Sequence, residues 1–390
     1  MQIVRTIVST LGARLFSATL SFAVFAGVAA ALPAQSAARV LFFSFAFGFS
    51  LATLRTFHLL AAGVTGRESR SERLRRIQRA ACTLRRLSLV CAPLIAGLLW
   101  TQGLGWPVAI GGLLLVLACG HDLDLPRAVA GRAPLLPWLT ACGGVLGAGL
   151  LLVSGTLDES SAALAFMLQW VPVAAYTALY GRRLLGTRQR SQSAPGPGRQ
   201  VVAGSLLLAM FDGAVNNAPF IFSLKFDAMD AVDMALGSRL YVASLALFAL
   251  VASWVVAGNL QRWSRRVRIE VPTLFGLLQF SCAVLIGLGY AVLYQMLVGQ
   301  PLRLSALGIF GVLLAANVFN ATAVRFADVG DSAGTVGAYV IALIAYCLFI
   351  LQLKLIGTAS SAEVITAAAL ALVAPGIFAF WRSARGNKAG

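Results

Sequence analysis

Apolar residues in this chain run together in long blocks, interrupted by short clusters of Arg, Gly, Pro, Ser and Asp. The blocks fall at 7–32, 37–64, 87–103, 105–120, 134–155, 160–181, 201–224, 236–258, 272–297, 302–324, 335–356 and 361–381. A helix needs about 20 predominantly apolar residues to cross a bilayer, and most of these blocks have that length. The pattern predicts an all-α polytopic membrane protein with about twelve transmembrane helices. The first block carries Arg14 on its approach and ends at Ala29-Ala30-Ala31. It is read as a retained span rather than a cleaved signal peptide.

The one long polar break lies at 186–199 and contains Ser193-Ala194-Pro195-Gly196-Pro197-Gly198, the composition of a flexible linker. It divides the chain into an N-terminal six-helix lobe at 1–185, a cytoplasmic linker at 186–199 and a C-terminal six-helix lobe at 200–390.

Composition narrows the class further. Of 390 residues, 59% are hydrophobic and 12% charged, against about 45–50% and about 25% in soluble domains. A soluble enzyme, a disordered chain and a nucleic-acid-binding domain are excluded, although the formal net charge is +17. The excess follows topology. With the N-terminus inside, Arg39, Lys225, Arg239 and Arg303 fall outside, and Arg14, Arg55 and Lys354 lie within helices. The remaining Lys and Arg residues all fall inside, as the positive-inside rule requires. Both termini are therefore expected in the cytoplasm, and the excess positive charge left within the membrane is the expected functional signal. The six cysteines, Cys82, Cys91, Cys119, Cys142, Cys282 and Cys347, show no paired spacing. No disulfide framework, metal or cofactor is expected.

Charges inside a span are costly and normally face a bundle interior or a wet cavity. Arg14 lies about two turns into the first helix. Arg55 and His58 share one face of the second at i and i+3, so the arginines could converge on one anionic group, or snorkel to the interface. Asp212, with Ser205 and Asn216 at helical spacing and Asn217 beside it, forms a polar stripe on the seventh helix. That stripe reads as a cavity or coupling-ion site, or as a hydrogen-bonded helix seam. Asn317 and Asn320 read as packing. Asp227, Asp230 and Asp233 precede Arg239 in an outer loop and first helical turn, with solvation and dipole complementarity favoured over a magnesium site. Arg303 and Lys354 read as snorkelling anchors. His121-Asp122-Leu123-Asp124 reads as an exposed polar turn. The basic stretch Arg67–Arg86 reads mostly as an interfacial helix resting on anionic membrane lipid.

Several of these segments resemble the multidrug/oligosaccharidyl-lipid/polysaccharide (MOP) exporter superfamily, and within it the Wzx-type O-antigen and lipid II flippases. Arg14-Leu15-Phe16-Ser17, the turn at Leu32–Ala38 and Phe42–Leu51 are similar to its opening hairpin. Phe211-Asp212-Gly213, Asn216-Asn217-Ala218-Pro219 and Gly237-Ser238-Arg239-Leu240-Tyr241 are similar to the opening of its second half. The resemblance implies a multi-pass bacterial inner-membrane protein that is not an enzyme. It implies a flippase for a polyprenyl-diphosphate-linked oligosaccharide, working by alternating access through a cationic cavity. Arg14, Arg55 and Arg239 would meet the diphosphate, with Asn216 and Asn217 lining the cavity and Asp212 as coupling-ion site or cavity acid. The partners implied are the lipid-linked anionic glycan and polysaccharide polymerase machinery, with no nucleic acid.

Two rivals stand beside this reading. A major-facilitator carrier shares twelve helices in a six-plus-six split. Its loop signature Gly-x-x-x-Asp-Arg-x-Gly-Arg-Arg, however, is met here by Gly63-Val64-Thr65-Gly66-Arg67-Glu68-Ser69-Arg70, which lacks the Asp. A membrane-embedded transferase acting on a lipid-linked sugar would need carboxylates or a histidine at a membrane face.

Overall fold

A computed structural model describes residues 2–62, 69–129, 134–153, 157–184, 202–207, 209–210, 231–244 and 265–327, with isolated positions 344, 369–370, 373 and 377. The described residues are helical with short connections, and no strand occurs among them. The helices are α1 (Gln2–Ala31), α2 (Ala34–Ala62), α3 (Arg70–Trp100), α4 (Trp106–Cys119), α5 (Asp124–Val129), α6 (Leu136–Val153), α7 (Glu159–Leu168) and α8 (Val171–Leu184). Beyond them lie a helix over 231–244 and the helices Arg265–Val298 and Leu304–Ala327. Among the described residues, six helices are long and apolar enough to cross a membrane, or seven if α7 and α8 count as one bent span. The last two expected spans, 335–356 and 361–381, lie almost wholly outside the described residues.

The chain divides into two compact units, Met1–Gly213 and Ala214–Gly390. In the first, α2 is the most buried span. Phe43, Phe47, Leu51, Leu54 and Phe57 project from it into a core shared with Leu99 of α3, Val116 of α4 and Met167 of α7. Val202, Leu206 and Ala209, beyond the Ser-Pro-Gly linker, pack into this same core.

Local chemistry fixes the helix ends. Ser69 Oγ accepts the Glu72 N–H at 3.3 Å and Glu72 Oε2 accepts the Ser69 N–H at 3.0 Å, a reciprocal cap that starts α3. From there α3 continues as one helix from Arg70 through Arg86 into the span, while Arg67 lies outside the described residues. The stretch is thus the extension of a transmembrane helix, not a separate interfacial helix. Ile77, Ala80, Ala81 and Leu84 are spaced to form one apolar face, and all four are buried.

At the opposite end of the unit, Arg39 of α2 pairs with Glu159 of α7 at 3.4 Å, and the exposed Trp100 and Trp106 rings stack at 5.1 Å. The expected sixth span is broken: α7 and α8 meet at 45° around Gln169 and Trp170. Pro172 in the first turn of α8 cannot donate the hydrogen bond that would continue α7. α6 comes close to this break through Gly143 and Gly147. A Cβ at Gly143 would strike the Gln169 carbonyl and one at Gly147 the Ala165 carbonyl, so only glycine permits the approach.

In the second unit, Gly237 on helix 231–244 lies against the Ala306 carbonyl of Leu304–Ala327. Asp233, one turn earlier, is buried; its Oδ2 accepts a hydrogen bond from Ser305 Oγ at 2.5 Å and lies 3.5 Å from Arg303 Nη1. Asp233 is helical, one of the two placements expected for the Asp series, but buried rather than solvated, and Arg303, expected as a snorkelling anchor, is half-exposed and paired with it. Asp227, Asp230 and Lys354 lie outside the described residues.

Candidate functional site

The structure brings Arg14 and Arg55 together at the end of the first unit opposite the Arg39–Glu159 pair. Arg14 is half-buried on α1, within electrostatic reach of Arg55, Asp122 and Asp124. Arg55 is half-buried on α2, its guanidinium carbon 5.8 Å from the centre of the Trp170 ring at the α7–α8 break. A half-exposed arginine over an indole gains on the order of 1 kcal/mol. Cys119, at the end of α4, donates its Sγ–H to the Trp170 carbonyl at 3.5 Å, closing the same corner.

His58 shares its helix face with Arg55 and takes a structural part. It is fully buried and bonded at both ring nitrogens: Nδ1 accepts the Asp122 N–H at 2.9 Å, and Nε2 lies 3.3 Å from the Ile77 carbonyl. Assigning the proton from this network makes Nε2 the donor and the ring neutral. His58 therefore fastens α2 to α3 and to the turn after α4.

That turn is not an exposed polar loop. His121 and Leu123 are buried, and both aspartates are half-buried and engaged. Asp122 Oδ1 accepts from the Asp124 and Leu125 N–H groups at 2.9 and 3.1 Å, capping α5. Asp124 Oδ1 accepts from Leu135 and Leu136 at 2.7 and 3.1 Å, capping α6. The His121 ring meets His58 edge-on with centroids 5.6 Å apart. Among the described residues, the buried His121 Nδ1 and, at the α7–α8 break, Gln169 Nε2 have no hydrogen-bond partner. Buried orphans of this kind are rare in folded proteins and mark places where a polar group is accommodated.

The acids correct the expectation of an uncompensated positive charge in this half. Asp122 and Asp124 fold back from the turn to within electrostatic reach of Arg14, and Asp124 of Arg55 as well. The sequence held a sign of it: Asp122, two residues before Asp124-Leu125-Pro126, has the spacing of a helix cap with proline in the first turn.

Arg239 lies in the second unit, on helix 231–244, half-buried between the buried Ser238 and Leu240. Asp212, Asn216 and Asn217 lie outside the described residues. Asn317 and Asn320 lie on the Leu304–Ala327 helix. Among the described residues no cluster of three or more His, Cys, Asp or Glu side chains is arranged to hold a metal.

No protein-family model matches the chain, and no curated protein does. Among solved structures, it is similar to an inward-facing multidrug resistance MATE family transporter of the MOP superfamily. The TM-score there is 0.58 at 14% identity, over 98% of each chain. Against a point mutant of the Vibrio cholerae MATE transporter VcmN, the TM-score is 0.49 at 16% identity, over 100% of this chain and 98% of that one. The first similarity shows the fold: the chain folds as MATE transporters of the MOP superfamily do. The superfamily read from the sequence has that fold, and the major-facilitator alternative loses ground accordingly.

Proposed function

We propose that this chain is a Wzx-type flippase that exports a polyprenyl-diphosphate-linked oligosaccharide across a bacterial inner membrane by alternating access. One observation carries the reading. Two arginines from different helices, Arg14 and Arg55, lie within electrostatic reach of one another in a bundle of MATE-like fold, and charged groups inside a membrane bundle commonly mark substrate or ion paths. The planar guanidinium suits bidentate contact with phosphate oxygens. In the empty state Asp122 and Asp124 restrain the arginines; the diphosphate takes their place when it binds. Arg239 is the candidate contribution of the second unit, with Asn216 and Asn217 as cavity residues and Asp212 as coupling-ion or cavity acid. Both termini are cytoplasmic in this account, no catalysis is involved, and polymerase machinery takes up the exported unit.

The first test is surface-polysaccharide export in cells that depend on this chain. Arg14→Ala with Arg55→Ala at matched membrane abundance is expected to lower export at least tenfold. Unchanged export removes the arginines from the substrate path.

A second reading has its own support. The solved structure of like fold is named a multidrug resistance transporter, and the two aspartates within electrostatic reach of Arg14 suit a ligand without strong negative charge. Export of small organic molecules would show as a change in drug susceptibility on deletion, with polysaccharide export intact.

A further inference from the structure

The exposed side of α3 changes character along its length. Its buried side is continuous: Ile77, Ala80, Ala81 and Leu84 are all buried, as are Ile95 and Leu99 further on. On the opposite side Leu89, Val90 and Leu94 are 69%, 75% and 75% exposed, and Arg75, Arg76, Cys82 and Arg86 continue the same strip as exposed residues. At helical spacing Arg75, Arg86 and Val90 fall on nearly one line, with Leu89 to one side and Arg76 and Leu94 to the other.

Depth can be counted along the helix. Exposed, stacked Trp100 and Trp106 have the placement of interfacial aromatic residues. A hydrocarbon core of about 30 Å takes about 20 residues at about 1.5 Å each. Counted back from Trp100, that reaches the level of Ala80. Arg75 and Arg76 then stand at headgroup height. Arg86 lies about 15 Å deeper than Arg76 and roughly 9 Å below the level of Ala80, where a snorkelling side chain reaches back toward the interface.

We propose that this strip of α3 holds an anionic phospholipid of the leaflet at the His58 end, its headgroup drawn to Arg75 and Arg76, with Arg86 adding attraction from below by snorkelling toward it, and one acyl chain along Leu89, Val90 and Leu94. The apolar strip runs without interruption into the basic one, which matches a lipid and not a soluble anion. Glu72 is the nearby acid on this face, within electrostatic reach of Arg75 and Arg76. Its carboxylate is engaged by Ser69, whose Oγ lies 2.8 Å and whose N–H lies 3.0 Å from Oε2. The inference stands apart from the proposed transport function: lipid on this strip does not require a particular transported substrate.

The test uses the purified full chain in detergent, titrated with acyl-labelled phosphatidylglycerol and, separately, phosphatidylcholine. Each basic residue near the headgroups contributes about fivefold to affinity for anionic lipid. Arg75→Gln, Arg76→Gln and Arg86→Gln together are therefore expected to weaken phosphatidylglycerol binding by about a hundredfold, leaving phosphatidylcholine binding unchanged. The corresponding triple lysine variant keeps most of the preference. For the unaltered chain, raising salt from about 0.1 M to about 1 M weakens phosphatidylglycerol binding, and soluble glycerophosphoglycerol does not displace the lipid. A glutamine variant that binds phosphatidylglycerol as the unaltered chain does overturns the proposal. So does salt-independent binding, or displacement by the soluble headgroup as efficiently as by lipid.

Discussion

The His58 ring connects three pieces of chain: α2 carries it, α3 offers the Ile77 carbonyl, and the turn after α4 offers the Asp122 N–H. His58→Ala leaves the Asp122 N–H without its acceptor, at about 1–3 kcal/mol, and removes the extra bond to the Ile77 carbonyl, which keeps its helical partner within α3. Thermal unfolding of the purified protein is expected to shift down by several degrees, and an unchanged midpoint contradicts the network. For Asp122 and Asp124 the charge and the cap can be separated, because Asn caps a helix about as well as Asp. Asp122→Asn with Asp124→Asn is expected to leave thermal stability nearly unchanged. The same pair tightens the hold on the anionic substrate severalfold and slows export severalfold, measured as substrate retained by the purified protein and as export in cells. Asp158 provides a pH signature. Hydrogen bonds from Ser161, at 2.8 Å from its N–H, hold this N-cap carboxyl below its ordinary range. Its stabilising effect is present above the unfolded carboxyl pKa and is lost as pH falls through the folded value. The difference in unfolding midpoint between the unaltered chain and Asp158→Ala should narrow on acidification below about pH 4. Arg14 and Arg55 were legible in the sequence, since charges stand out in apolar blocks. Their acidic neighbours were not, because Asp122 and Asp124 reach them only through the return of the turn.

Among the described helices, α6 comes close to the broken α7–α8 span, where Gly143 and Gly147 lie on backbone carbonyls. Gly143→Val forces the helices apart and is expected to lower the yield of folded protein severalfold, or to reduce the unfolding midpoint by about 5 °C or more. Gly149→Ala is the matched control, since a Cβ there meets nothing within 4 Å; a similar loss in both would show that the close approach is not what matters. The apolar blocks placed α1, α2, α4 and α6 well, because a run of nonpolar residues bounded by breakers has one cheap solution in a bilayer. They missed the break at Gln169-Trp170, where Val171-Pro172 was the available signal. They also separated the basic stretch from α3, because charge hides the apolar face formed by Ile77, Ala80 and Leu84.

For the whole chain, apolar content and block spacing were enough to give a many-helix membrane protein. The resemblance in the opening hairpins led to the superfamily whose fold the chain shares at a TM-score of 0.58. The identity of the cargo was not legible in the same way. It depends on side chains from separate helices, and Asp212, Asn216 and Asn217 carry no pattern that tells a coupling site from a packing seam. The central claim is that the Arg14–Arg55 pair carries a diphosphate-linked glycan through the membrane. It is tested most directly with the purified full chain in proteoliposomes containing a fluorescent polyprenyl-diphosphate oligosaccharide, its transfer between leaflets followed by accessibility to a membrane-impermeant quencher. The account predicts transfer that depends on the protein and falls at least tenfold in Arg14→Ala with Arg55→Ala, with both proteins equally folded and inserted. Transfer no faster than in protein-free vesicles, or equal rates for the two proteins, would contradict it.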